Sequence, residues 1–201
     1  MPPFVEAQQS QDGQTRLSFF AGVRNTYRLL LTTDSQLEPP MPDSPPLFSI
    51  HAVSAEHVLP LRRTILLDNQ TDSCRFRGDD EPTTLHVAVY QGERIVAVAT
   101  VCREALPGLQ NDTAWRLRGV AVESHVRRYG FGRTLMKLCF DHARRHGGRL
   151  AWCTARETAR GFYEALGFAS SSPPFKLPSR GDLLFYEMHY ILPGEPITDV
   201  E

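Results

Sequence analysis

The sequence predicts one mixed α+β domain over residues 47–192, preceded by an N-terminal extension (1–46) and followed by a short tail (193–201). Three observations lead there. Leu117–Val122 is an apolar, strand-like run that a glycine-rich basic turn joins to a helical pattern. Leu85–Tyr90 and Ile95–Val101 flank the turn Gln91-Gly92-Glu93 and read as a hairpin. Strand and helix patterns then interleave to the last strand, in a chain of 201 residues that is long enough for a substantial core.

Taken in order, residues 1–46 are rich in proline between 39 and 46, which resists regular structure. Leu17–Phe20 and Tyr27–Leu31 are too apolar for a free tail, so one or both are expected to dock on the domain. Phe48–Val53 alternates and reads as a first strand. Ser54 is placed as the N-cap of a helix carrying Val58, Leu61, Ile65 and Leu66 inward, with Pro60 in its first turns. Residues 68–82 form a polar loop, and residues 104–113 a second one.

The strand Trp115–Val122 puts Leu117, Gly119 and Ala121 on one face and Arg116, Arg118, Val120 and Val122 on the other. Gly119 in mid-strand marks a bulge or a close backbone approach. The helix after it is expected over 131–146, with Phe131, Leu135, Leu138, Cys139 and His142 inward and Gly147-Gly148 ending it. Leu150–Thr154 is a short buried strand. Residues 157–166 form a helix with Ala159, Phe162 and Leu166 inward, stopped by Gly167. A Ser/Pro loop leads to the strand Leu183–Ile191.

Composition narrows the function. A net charge of −1 gives no global attraction to nucleic acid or an anionic membrane, so an anion site must be local. No apolar run approaches a membrane span, and residues 1–14 lack the pattern of a signal peptide. Cys74, Cys102, Cys139 and Cys153 are widely spaced, with no Cys-x-x-Cys pair and no neighbouring histidine cluster. That spacing predicts reduced thiols in a cytoplasmic protein and no metal.

The local anion site is Arg127-Arg128-Tyr129-Gly130-Phe131-Gly132-Arg133-Thr134. The first N–H groups of a helix have no internal partner and carry the positive end of its dipole. Glycine at 130 and 132 allows close approach of a ligand, and Arg127, Arg128 and Arg133 add full charge. Such a turn suits a diphosphate-like group. The pattern fits neither the Gly-x-x-x-x-Gly-Lys-Ser/Thr loop nor the Gly-x-Gly-x-x-Gly turn.

Arg127-x-x-Gly130-x-Gly132 after a strand resembles the acetyl-CoA signature of the GNAT superfamily of N-acetyltransferases. Ala159-Arg160-Gly161-Phe162-Tyr163-Glu164-Ala165-Leu166-Gly167-Phe168 resembles a second motif of that family, in the expected order and spacing. The resemblance covers residues 48–191 and is firmest over 115–168. It implies a central, mostly antiparallel, twisted sheet of six to seven strands flanked by helices, and acetyl-CoA as acyl donor without a metal. It assigns the backbone of Val120, Ala121 and Val122 to the pantetheine arm and Tyr163 to protonation of the departing thiolate. Where many members carry an asparagine that bonds the cofactor, this chain has Arg156, which could reach a phosphate instead. The oxyanion donor is expected to be a backbone N–H near Val120 or Ala121.

The implied reaction is acetyl transfer to a primary amine, with a small molecule favoured as acceptor over a protein or peptide. A non-catalytic acyl-CoA-binding module is the alternative from another class. The general base stays open among His86, Asp79, Asp80, Glu123 and Glu187. A homodimer is left open as well.

Overall fold

Nine strands form one sheet among the described residues: β1 (Arg16–Gly22), β2 (Thr26–Thr32), β3 (Phe48–Val53), β4 (Leu85–Gln91), β5 (Arg94–Arg103), β6 (Ala114–Val122), β7 (Leu150–Arg156), β8 (Phe175–Lys176) and β9 (Leu184–Ile191). Three α-helices accompany them: α1 (Ala55–Leu66), α2 (Phe131–Arg145) and α3 (Glu157–Glu164). The computed structural model describes residues 47–67, 74–108, 112–170 and 172–194, together with the backbone of 16–22 and 26–32. The sheet order is β1-β2-β3-β4-β5-β6-β7-β9-β8. Each neighbouring pair is antiparallel except β6 with β7, which is parallel. The seven strands from β3 onward give the expected sheet, and the β1–β2 hairpin extends it by pairing β2 along β3.

The helices cover opposite faces of the sheet. Val58 and Leu61 of α1 pack on Ala88, Val98 and Ala121. Phe131, Leu135, Met136, Cys139 and Ala143 of α2 pack on Val96, Ala99, Trp115 and Leu117. The α2 stripe is therefore rotated from the expected one: Met136 and Ala143 are fully buried, while Leu138 and His142 lie half-buried at its margin. A fully buried leucine such as Leu135 contributes roughly 2 kcal/mol through burial. Gly147, at φ +78°, ends α2 as expected, and the Gly148 N–H bonds the Ala143 carbonyl at 2.7 Å.

Ser54 stands at the N-cap of α1 as expected, in extended backbone, and its hydroxyl bonds His57 Nδ1 at 2.8 Å rather than a helix N–H. Three local expectations need correction. Pro60 lies in the second turn of α1, past the opening positions where a missing N–H has no helical partner to lose, and Thr64 Oγ1 bonds its carbonyl at 3.1 Å. Helix α3 ends at Glu164, and Tyr163 turns inward while Phe162 is exposed. The face assignment of β6 holds only to its midpoint. Leu117 packs on the α2 side, but so do Val120 and Val122, whereas Ala121 faces α1. A bulge causes this: Thr100 pairs with Arg118 and Val98 with Ala121, so Ala99 stands opposite two residues. An extra residue in one strand reverses the alternation beyond it.

Candidate active site

The site begins where β6 and β7 separate. They pair from Ala114 with Leu150 to Leu117 with Cys153 and then stop, though β6 continues to Val122 and β7 to Arg156. Gly119, at φ +59°, supplies the conformation that the bulge needs at the fork. The two diverging strands leave a wedge into which α3 directs Tyr163. Two cavities meet there and share Leu66, Val120, Arg156, Ala159 and Tyr163.

The larger cavity is about 590 Å³. Val120, Ala121, Val122, Arg127, Arg128, Gly130, Phe131, Gly132, Arg133, Arg156 and Tyr163 all line it. Two expected residues stand apart. Tyr129 lies outside, half-exposed and stacked on the Phe131 ring at 6.2 Å. Thr134 sits one turn into α2, where its N–H and hydroxyl both reach the Gly130 carbonyl, at 3.0 and 3.3 Å.

The turn has the features of an anion site. Gly130, at φ +85°, has open space where a side chain would be. Arg128 adopts φ +70°, an uncommon conformation for a residue with a side chain. Helix α2 has no acidic residue in its first turn. Among the described residues no carboxylate pairs with Arg127, Arg128 or Arg133, and Arg127 Nε bonds only the Val122 carbonyl, at 3.2 Å. Unneutralised cations beside a helix N-terminus fit a pyrophosphate. Gly132 serves differently: the Phe162 ring lies 3.1 Å from where its Cβ would be, so this glycine admits an aromatic side chain.

Tyr163 is 6 % exposed. Burial pushes its phenol well above the usual tyrosine range, and the Cys153 and Cys139 thiols beside it add to the effect. The phenol therefore keeps its proton at neutral pH, which suits a donor. Arg156 donates to the Leu66 carbonyl at the end of α1 and so spans the junction of the two cavities.

None of the five expected bases lines either cavity. His86 is buried with both ring nitrogens bonded, to Thr100 Oγ1 at 2.7 Å and the Asp79 carbonyl at 2.8 Å. Asp79 is buried against Arg62 Nη1 at 2.6 Å. Asp80 pairs with Arg75, and Glu123 with Arg94. Glu187 faces Thr154 across the β7–β9 register.

Two clusters escaped the sequence reading. Arg62, fully buried, links α1 to Asp79, Thr100 and the Cys74 carbonyl directly beneath the bulge. Its signal was present: position 62 lies four residues after Val58 and three before Ile65, on the inward face. The second is Glu104, which pairs with both Arg116 and Arg118 at the wall of the smaller cavity. Nothing in the chain order joins a loop acid to that strand.

Residues 49–168, more than half of the chain, match the family model described as "Acetyltransferase (GNAT) family". The chain belongs to the GNAT acetyltransferase family. The uncharacterized N-acetyltransferase YitI of Bacillus subtilis (strain 168) is 27% identical over 137 residues, spanning 68% of this chain and 92% of its own. An aminoglycoside 6'-N-acetyltransferase complexed with coenzyme A aligns with TM-score 0.57 and 16% identity, over 73% of this chain and 98% of its own. The ribosomal-protein-S18-alanine N-acetyltransferase of Escherichia coli aligns with TM-score 0.53 and 16% identity, over 77% and 100%. At such identities the two structures speak for the GNAT fold alone. Among the described residues no helix is long and apolar enough to cross a membrane, and no group of side chains could hold a metal ion.

Proposed function

We propose that this GNAT enzyme transfers the acetyl group of acetyl-CoA to the primary amine of a small molecule. The observation that carries this reading is the smaller cavity beside Tyr163. It measures about 270 Å³, near the lower end of small-ligand sites. The C-terminal end of α1 walls one side, with Leu66, Leu67 and Phe76. Leu177, Arg180 and Phe185 of the β8–β9 region wall the other. This cavity suits an acceptor of amino-acid size better than a peptide chain.

Acetyl-CoA supplies an activated acyl carbon with a thiolate leaving group. Arg127, Arg128, Arg133 and the N–H groups opening α2 hold the pyrophosphate. The Val120–Val122 backbone, unpaired toward β7, holds the pantetheine arm and offers a Val120 or Ala121 N–H to the developing oxyanion. The amine nitrogen bonds the acetyl carbon, the carbon–sulfur bond breaks, and the Tyr163 proton passes to sulfur. The proton lost by nitrogen leaves through solvent, since among the described residues no carboxylate or histidine lines the cavities. Tyr163 then regains a proton from solvent.

Thiol release from acetyl-CoA across a panel of small amines and short peptides tests this reading, with the N-acetyl product identified by mass. Small amines are expected to turn over and peptides of four or more residues not to. Turnover confined to peptides would reverse the assignment of the acceptor.

A further inference from the structure

The smaller cavity is cationic. Arg116, Arg118, Arg156 and Arg180 line it, and among the described residues no acidic side chain does. One carboxylate, Glu104, answers both Arg116, at 2.6 Å, and Arg118. Arg156 is bonded to a neutral carbonyl. Arg180 is half-buried and has no ion-pair partner among the described residues. The Nε–H groups of Arg116 and Arg118 are buried without a hydrogen-bond partner.

Such a site opposes a simple alkylammonium ion, which would enter among guanidiniums of its own sign. It accepts the same amine when a carboxylate travels with it, because carboxylate and guanidinium match in charge and geometry. Resting on the acetyltransferase reading, we infer that the acceptor is an amine that also carries a carboxylate, held by Arg118 and Arg180 at the cavity wall. Leu66, Phe76, Leu177 and Phe185 add an apolar surround for the carbon skeleton. The guanidiniums also favour the neutral amine over its ammonium form, which reduces the need for a dedicated base.

The test uses matched sets: an amino acid, its primary amide and the amine left by removing its carboxylate. With acetyl-CoA saturating, kcat/KM is expected to be at least 100-fold higher for the acid than for either partner. Arg118→Gln and Arg180→Gln are each expected to raise the KM for the acid about tenfold while the KM for acetyl-CoA changes less than twofold. Arg180 makes no ion pair among the described residues, so its variant keeps the test valid if Arg118→Gln fails to fold. Amides or decarboxylated amines used as well as the acids would overturn the inference and leave acetyl transfer standing. Calorimetry with N-acetyl amino acids and their amides decides the same point without turnover. Tighter binding of the acids, weakened by Arg180→Gln, supports the anion site; equal binding removes it. Failure to bind acetyl-CoA would instead count against the acetyltransferase reading.

Discussion

Arg62 runs so close beneath Gly119 that a Cβ built there would lie 2.2 Å from Arg62 Nε. The bulge that opens the wedge between β6 and β7 thus rests on a buried guanidinium reaching up from α1. Gly119 also has φ +59°, so a side chain at 119 is disfavoured both by backbone and by collision. Gly119→Ala is expected to destabilise the protein by about 2–5 kcal/mol, the strain of the positive φ and the overpacking together. Urea denaturation measures it. A stability within 0.5 kcal/mol of wild type, on the order of a neutral surface change, would mean the bulge does not depend on this contact.

Arg62 and Asp79 are a buried pair, with side chains at most 1% exposed. Removing one partner strands the other charge, so Arg62→Met is expected to cost about 3–5 kcal/mol. Arg62→Met with Asp79→Leu should recover most of that loss, because the pair's own net contribution is small. The comparison of single and double variants in urea tells a stranded charge from a packing defect. A double variant as unstable as the single would point to packing.

The order of elements, the hairpin and the glycine-rich turn opening α2 were legible because local pattern decides them. Gly130 and Gly147 adopt positive φ where the sequence punctuates helix ends. The errors have a common physical source. One residue inserted opposite Ala99 reverses the faces of Val120, Ala121 and Val122, and alternation counting cannot see an insertion that is defined by a partner strand. Phe162 and Tyr163 are adjacent on α3, and which one turns inward depends on Gly132, thirty residues earlier, accommodating the Phe162 ring. Glu104 meets Arg116 and Arg118 only after β5 and β6 pair.

His86 and His142 make stability depend on pH. Burial pushes both imidazoles below the ordinary histidine value, outweighing the carbonyl bonds from Asp79 and Thr83 that favour the charged form. Both stay neutral in the fold, while the unfolded chain takes up protons near pH 6.5. Their contribution is therefore complete above about pH 6.5 and lost as pH falls toward the lower folded values. Each can add at most about 1.4 kcal/mol per pH unit to the slope. The urea midpoint is expected to fall between pH 7.5 and pH 5.5, and more gently in the His86→Gln/His142→Gln variant. An unchanged slope would assign it to other groups.

Arg128 separates binding from stability. Its φ of +70° is relieved by glycine, while the guanidinium beside the helix start is lost. Arg128→Gly is expected to hold or raise stability by up to about 1 kcal/mol and to weaken acetyl-CoA binding about five- to tenfold. The loss should shrink as salt is raised, since screening reduces the charge removed. Calorimetry at two ionic strengths checks both. A weakening independent of salt would show that the backbone conformation, not the charge, matters at 128.

Tyr163 carries the sharpest prediction about chemistry. Its phenol is buried, neutral and in contact with the Cys153 thiol, at the junction of the two cavities. Tyr163→Phe keeps the ring and removes the proton, so kcat is expected to fall about 10²- to 10⁴-fold. The Kd for acetyl-CoA should change less than twofold, because the ring that lines the cavity remains. A phenol held well above pH 10 also predicts no loss of kcat from its ionisation below that value. Stopped assays from pH 6 to 10 on both proteins read the two effects together. Wild-type kcat in the Phe variant would assign the proton to solvent and reduce Tyr163 to a wall of the cleft.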